Sequence, residues 1–416
     1  MSESTVSRRA GGGARRQRKR RHTVLQVVLI SVLVLALGTG LSVVYTFRHL
    51  SDNLEAPGYE DGLTDRPEAV EVEGPRDPIN VLVMGSDARD GDGNNIDGLT
   101  GDGERSDTTI LMHVSADRKR AYGVSIPRDS MVQRPECRKP DGTVVPASSG
   151  LEMFNRAFTV GGPTCTMQTV EQLTGIRLDH FVVVDFNGFI GMVDAIDGVE
   201  VCIPEDAVDP AHGINLKAGT REVRGREALN YVRERHKLSA NGDIGRMKRQ
   251  QAFIASMANK VVSAGTLARP DRLFRFLDSA TKSIEVDRGL KSIPKLTDLG
   301  MQFRDTGLDK VQFITIPFEL WEVDRNRIMW TEEADLVWDA LRRDRVVPPE
   351  LTRERITAAA PPGTSAPGGS SSESPSGGPS GNGSPTTPSP EGSPSGTADQ
   401  DKVDAAELAR ANGLCA

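Results

Sequence analysis

The residues of this sequence that could do chemistry gather in two short stretches. The first, GERSDTTILMHVSADRKRAYGVSIPRDS over 103–130, carries Arg105 and Asp107 at one end and Arg128 and Asp129 at the other. Between them lie two apolar runs, 108–114 and 121–126, split by the charged turn SADRKR. Read as antiparallel strands of one hairpin, the start of the first falls beside the end of the second. The four charged side chains then meet at one edge of a sheet. A further run, INVLVMGSDAR, reaches Asp87 at its end. If it runs parallel to 121–126, its carboxyl end leaves the sheet at that same edge, where open α/β sheets bind ligands. Two carboxylates, Asp87 and Asp107, suit a hard divalent cation, and Mg²⁺ commonly takes one or two of them together with substrate phosphates. Arginines present a planar fork to phosphate oxygens. For any one of these residues alone, a surface ion pair at a strand end is an equal explanation. Four together favour a metal–phosphate site. Because Asp107 sits at a strand end, its loss is expected to spare the fold.

The second stretch is YVRERHKLSANGDIGRMKRQQAF, 231–253. Arg233 and Arg235 close one helical pattern, a glycine-bearing loop follows, and Asp243 and Arg246 open the next. Gln250 lies four residues after Arg246 and shares its helix face. Met247, Ile254, Ala258 and Val261 recur at helical spacing, which is simplest as core packing. The arginines alone could be a solvated face, or a helix-turn-helix gripping DNA. With a metal and several arginines, phosphoryl transfer is the chemistry supplied, since it needs charge neutralised on the transferred group. Arg105 and Arg128 would act on that group, and Asp129 and Asp243 are the candidates for a general base. Each acid is equally suited to a structural ion pair.

These residues must be positioned by an α/β framework. From 77 to about 345 the chain alternates short β-branched runs (INVLVMG, TTILMHV, AYGVSI, HFVVVDF, VEVCI, VQFITIP) with helical patterns, which predicts an α/β fold with a mixed sheet. Residues 48–76 are acidic and turn-rich and read as a spacer. After Ala358 the composition collapses to Pro, Ser and Gly, so 346–416 is expected as a tail unable to bury a core.

The charge is asymmetric. The 416 residues carry a formal net charge of -7, which gives no general pull toward nucleic acid. Residues 1–22 nevertheless hold eight basic side chains against Glu3 alone. Directly after them, 23–47 contains no charged residue and is long enough to cross a bilayer. A basic flank stays cytoplasmic, so the expectation is a single-pass anchor with everything after it outside the cell. A cleaved signal peptide is the alternative, but its apolar region is usually shorter, about 7–15 residues. That topology places the second stretch away from nucleic acid. It also leaves the four cysteines free to pair. Cys137 and Cys165 flank a Pro/Gly-rich excursion with little else to hold it, and are expected to be bonded. Cys202 and Cys415 can pair, but nothing in the sequence demands it.

The motifs NVLVMGSDAR, RSDTTILMHV, VSIPRDS, FNRAFTVGGP, DHFVVVDFNGF, IDGVEVCIP and LNYVRERH…GDIGRMKRQQ, in that order over roughly 77–265, resemble the LytR-CpsA-Psr family of cell-wall enzymes. The resemblance implies a mixed central sheet with helices on both faces. It implies a phosphotransferase that moves a glycopolymer from a polyprenyl-pyrophosphate carrier to a peptidoglycan hydroxyl, leaving a phosphodiester. On the matching positions, Asp87 and Asp107 would bind Mg²⁺, while Arg105, Arg128, Arg233, Arg235, Arg246 and Gln250 would bind the pyrophosphate. An apolar space between sheet and helices would take the prenyl chain. A polyprenyl-pyrophosphate hydrolase using the same site, and a nucleic-acid-binding regulator, stand as the rival functions. One departure is that Thr220 occupies the place where related actinobacterial sequences often carry a cysteine facing the one in VEVC.

Overall fold

The computed structural model describes residues 13–87, 106–210, 213–235, 237–262, 269–364 and 406–415, with side chains from Val24 onward. It divides into two units, 1–52 and 53–416. The first holds one described helix, α1 (Gly13–Asp52), in which an 18-residue apolar window after Val24 has a mean hydropathy of 2.6 and is not buried by protein. At about 1.5 Å per residue, its apolar part is long enough to span the hydrocarbon of a membrane.

The second unit is built on a seven-stranded mixed sheet. Its strands are β1 (Ile79–Ser86), β2 (Ser106–Val114), β3 (Ala121–Ile126), β4 (His180–Val184), β5 (Ile284–Val286), β6 (Val311–Thr315) and β7 (Ile356–Thr357). Their spatial order is β5-β4-β1-β2-β3-β6-β7. β2 runs antiparallel to both β1 and β3, while β4 is parallel to β1 and β6 is parallel to β3. The carboxyl ends of β1, β3, β4 and β6 therefore share one edge with the amino end of β2.

The strands are apolar on both sides because helices cover both faces. On one face Leu82, Met84, Tyr122, Val124 and Phe181 pack with α2 (Arg156–Thr174) and, through Val337 and Trp338, with the helix Glu332–Arg342. On the other face Val114, Ala121 and Phe313 meet Ala252 and Ala255. Those alanines belong to the helix Asp243–Val262. In chain order the helices after α2 are α3 (Phe186–Ala195), α4 (Gly225–Arg233), α5 (Asp243–Val262), α6 (Pro270–Thr281), α7 (Ile293–Thr306) and α8 (Glu332–Arg342).

Three expectations are revised. VEVCI does not join the main sheet. Among the described residues Val199–Ile203 pairs with Gly219–Val223 alone, forming a ribbon whose inward residues share a core with α4 and Phe253 of α5. The spacer is not a free tether throughout: the Thr64 amide donates to Gln168, and Arg66 pairs with Glu171, strapping the segment across α2. Ordered structure also runs past 345, because Ile356 is an apolar residue in sheet register with Phe313.

Cys137 and Cys165 are joined, with Cα atoms 5.2 Å apart, and so are Cys202 and Cys415, 5.8 Å apart. Thr220 does stand directly opposite Cys202 in the ribbon. The partner comes instead from the carboxyl end of the chain, which returns at 406 as a short helix. There Leu414 enters the core beside Ala252 and Ala255. The Asn241 amide donates to the Ala411 carbonyl, and buried Arg249 reaches the Asn412 carbonyl at 3.5 Å. Before the Pro/Ser/Gly stretch, the chain leaves through Gly363, whose carbonyl accepts from Thr220 at 2.7 Å. A Cβ on Gly363 would sit 2.3 Å from that of Cys202, and its φ of +68° also requires glycine.

Candidate active site

The hairpin register delivers the first pair. Thr109 lies opposite Ile126, so continuing outward by two residues sets Asp107 against Arg128. Their side chains bond at 2.8 Å, Arg128 Nη1 donating to Asp107 Oδ1. β1 ends alongside, with Ser86 opposite Ser106, which brings Asp87 to the same edge. Arg105 lies outside the described residues.

The loop between α4 and α5 delivers the rest. α4 stops at Arg233 because Glu234 is extended, and its buried carboxylate caps the amides of Lys237 and Leu238 at 2.9 Å each. Arg235 then turns toward the sheet and donates to Asp107 Oδ2 at 3.0 Å. Arg246, in the first turn of α5, bonds the Asp107 carbonyl at 2.7 Å and approaches Asp107 Oδ2 at 3.6 Å. Asp243 closes the cluster, 2.9 Å from Arg128, 3.4 Å from Arg235 and 3.7 Å from Arg246. Asp129 lies 3.3 Å from Arg128. Three aspartates and three arginines thus form one network at the sheet edge.

Two of the expected phosphate ligands make other described contacts. Gln250 is buried and donates to the Val232 carbonyl at 3.1 Å, tying α5 to the end of α4. The Arg233 guanidinium lies over the Phe186 ring, 4.7 Å from its centroid. Two contributors were not foreseen. Arg327, from the hairpin formed by Phe318–Leu320 and Ile328–Trp330, donates to Asp129 at 3.2 Å. Arg249, fully buried, bonds the carbonyls of Glu234 and Tyr231 and so holds the loop that presents Arg235. Its signal was only its place between Arg246 and Gln250; for Arg327, almost 200 residues from its partner, there was none.

The electrostatics follow from partial burial. Burial alone would raise the Asp107 carboxyl, but Arg246, Arg235 and Arg128 outweigh it and hold it below the ordinary value. Asp129 is pushed the other way, first by burial and further by neighbouring Asp243, against the pull of Arg128. Burial lowers Arg246 to about 10 despite Asp243 and Asp107, and its Nε–H, also buried, has no acceptor among the described residues. Arg128 rises above its usual value because Asp243 and Asp107 overcome its desolvation. The network therefore favours the ionised form of Asp107 beside its arginines and biases Asp129 toward taking up a proton.

Among the described residues no three Asp, Glu, His or Cys side chains group closely enough to hold a metal by themselves. Asp87 and Asp107 stand at one edge of the sheet, and both Asp107 carboxylate oxygens meet arginines there.

Residues 45–343 match the family model described as LytR_cpsA_psr family. The chain belongs to the LytR-CpsA-Psr family. It is similar to the probable cell wall biosynthesis protein LcpB of Corynebacterium glutamicum, 37% identical over 215 residues, 50% of this chain and 48% of the relative. It thus spans about half the length of that relative. It is also similar to the polyisoprenyl-teichoic acid–peptidoglycan teichoic acid transferase TagU of Oceanobacillus iheyensis, 27% identical over 276 residues, 64% of this chain and 78% of the relative. A LytR-Csp2A-Psr enzyme structure from Actinomyces oris superposes with a TM-score of 0.51 at 20% identity, covering 67% of this chain and 97% of that one. That likeness establishes the LytR-CpsA-Psr fold, with its mixed sheet between helical layers.

Proposed function

We propose that the chain is a membrane-anchored, extracytoplasmic phosphotransferase that moves a glycopolymer from a polyprenyl-pyrophosphate carrier to a peptidoglycan hydroxyl. The observation that carries this reading is the single carboxylate of Asp107 drawing Arg128, Arg235 and Arg246 to the rim of the sheet. Such a set of preoriented forks suits a pyrophosphate, whose charge grows on the leaving oxygens during transfer. The transferase activity for which the Oceanobacillus relative is named supports the choice of donor and acceptor. The apolar helix beginning at Val24 supports the anchor, and the basic block before it supports the orientation.

In this reading the arginines neutralise the two phosphates and hold the glycan-proximal phosphorus in line. The acceptor hydroxyl attacks that phosphorus, and its proton passes to Asp129, whose burial favours the protonated form. The bond between this phosphorus and the bridging oxygen breaks, and the polyprenyl monophosphate departs with the electron pair. The glycan is left as a phosphodiester on the acceptor. Asp87 and Asp107 would hold Mg²⁺, which supplies Lewis-acid charge neutralisation when bound. Arg105 and Arg233 stand at sequence positions that allow them to join the phosphate contacts. Gln250 acts indirectly, by fixing the Val232 carbonyl.

The deciding test is to incubate the full-length protein in detergent with a lipid-linked glycan, peptidoglycan and Mg²⁺. A covalent glycan–peptidoglycan conjugate supports the reading. Release of free glycan phosphate without any conjugate would identify a hydrolase instead.

A further inference from the structure

The rim of the sheet continues past the arginine cluster. β6 lies beside β3 and parallel to it, so its carboxyl end opens on the same edge, one strand further from Asp107. Adjacent strands are about 4.8 Å apart. There the structure holds a cavity of about 580 Å³. One wall is Asn241 and Ile244, which bracket Asp243 in the chain. The opposite wall is 314–318, where the Ile316 amide bonds the Ser125 carbonyl three residues before Arg128. Leu408 of the returning carboxyl-terminal segment forms part of the lining.

We propose that this cavity is the subsite for the acceptor sugar of the transfer reaction. The proposal rests on the phosphotransferase reading above and adds where the attacking hydroxyl comes from. Three observations converge. The first is position: Asp243, one candidate proton acceptor, lies in the chain between the lining residues Asn241 and Ile244, and Asp129, the other, follows β3, the strand beside β6. A sugar seated there presents a hydroxyl across those acids toward the phosphorus.

The second is lining chemistry. Glu333, Glu350 and Glu354 supply carboxylate acceptors for sugar hydroxyls, and Asn241 adds an amide. Phe318 and Leu408 offer apolar surface for a ring face or an acetamido methyl. Lys248 enters from α5 with its ammonium fixed by the Glu354 carbonyl at 3.0 Å and carboxylate at 3.2 Å. A wall carrying these charges excludes the polyprenyl chain, which would strip them of water without pairing them. The third is size, because cavities of about 300–1,000 Å³ accommodate one or two sugar rings.

The test uses the full-length protein in detergent, a short-chain lipid-linked glycan as donor, and an uncrosslinked peptidoglycan glycan strand as acceptor. Leu408→Trp fills the cavity from its partly open side, Glu333→Lys reverses an exposed lining charge, and Leu408→Ala serves as the control. The two filling or charge-reversing variants should raise KM for the acceptor by about tenfold or more, with donor hydrolysis in its absence unchanged within about twofold. Leu408→Ala, which removes apolar surface but leaves the cavity open, should raise the acceptor KM by less than Leu408→Trp does and leave donor hydrolysis unchanged. Mapping of the Cys202–Cys415 bond shows whether each variant keeps its segment docked. If docked Leu408→Trp and Glu333→Lys both keep the wild-type acceptor KM, the assignment is wrong. A rise in KM for the donor alone would give the cavity to the prenyl chain instead. An acceptor strand carrying a photoreactive group should crosslink to peptides containing 314–318 or 406–412, whether or not transfer occurs. Crosslinks confined to other peptides would overturn the subsite. Loss of transfer by the wild-type protein with those crosslinks present would instead count against the transferase reading alone.

Discussion

Replacing Asp107 by alanine is the most revealing perturbation of the cluster. The carboxylate serves Arg128 at 2.8 Å, Arg235 at 3.0 Å and Arg246 at 3.6 Å. Without it, Asp243 alone faces all three guanidiniums, with Asp129 reaching Arg128. Arg246 is the costly member, because its side chain is only 2% exposed and cannot turn to water. Stranding a buried partner costs about 3–5 kcal/mol. Asp107 is 22% exposed and Asp243 remains, so a loss of about 2–3 kcal/mol is the reasonable figure. At about 2–4 °C per kcal/mol for a domain of this size, Tm should fall by about 5–10 °C. The strand-end position predicts that the fold itself is spared, while the three shared arginines predict a measurable loss of stability. Inorganic pyrophosphate should restore much of the loss, because an anion among the arginines replaces the missing charge, with about 2.7 kcal/mol available at a hundred times Kd. The assay is thermal unfolding of variant and wild type with and without pyrophosphate, alongside glycan transfer. An Asp107→Ala protein with wild-type Tm, pyrophosphate response and turnover would refute the network as the phosphate site.

Four further outcomes are expected. Arg128→Ala should lower the transfer rate by about tenfold to a hundredfold, the value of one or two charge-assisted bonds, and Arg128→Lys should rescue poorly in the same assay. Asp129 must be ionised to accept a proton, and its value is raised, so turnover should fall as pH drops through a midpoint above the ordinary carboxylate range; Asp129→Asn should be slow and lose that acid limb in a pH–rate profile. The folded-state value of Asp107 is depressed, so its stabilising contribution should be full above the unfolded carboxylate value and fade only as pH falls below it, measurable as Tm against pH. Chelation should reduce transfer and added Mg²⁺ should restore it, with the Asp87→Ala variant needing more metal for half-maximal rate.

The hairpin made the heart of the site legible. Once 108–114 and 121–126 are antiparallel, register alone sets Asp107 beside Arg128, and the parallel placement of β1 brings Asp87 to the same edge. Local signals also placed Asp243 and Arg246 at the start of α5. What escaped depends on tertiary closure. Gln250 shares a helix face with Arg246, but periodicity does not say that the Val232 carbonyl stands in its way. VEVCI has strand composition, yet composition does not choose between the main sheet and a separate ribbon. Ile356 and Leu414 sit in or beyond a Pro-rich context whose average hides single apolar residues that find a core. Arg327 reaches Asp129 only because a distant hairpin folds over the sheet edge.

The Cys202–Cys415 bond and the seating of Gly363 beside Cys202 fix residues 363 and 415 at one point on the domain, whatever length of chain joins them. The stretch between these two residues is thus a loop closed at its base. Loop-closure entropy grows only logarithmically, so doubling or halving that stretch would shift stability by about 0.6 kcal/mol. A protease cutting anywhere within it would leave two polypeptides that travel as one protein until a reductant separates them.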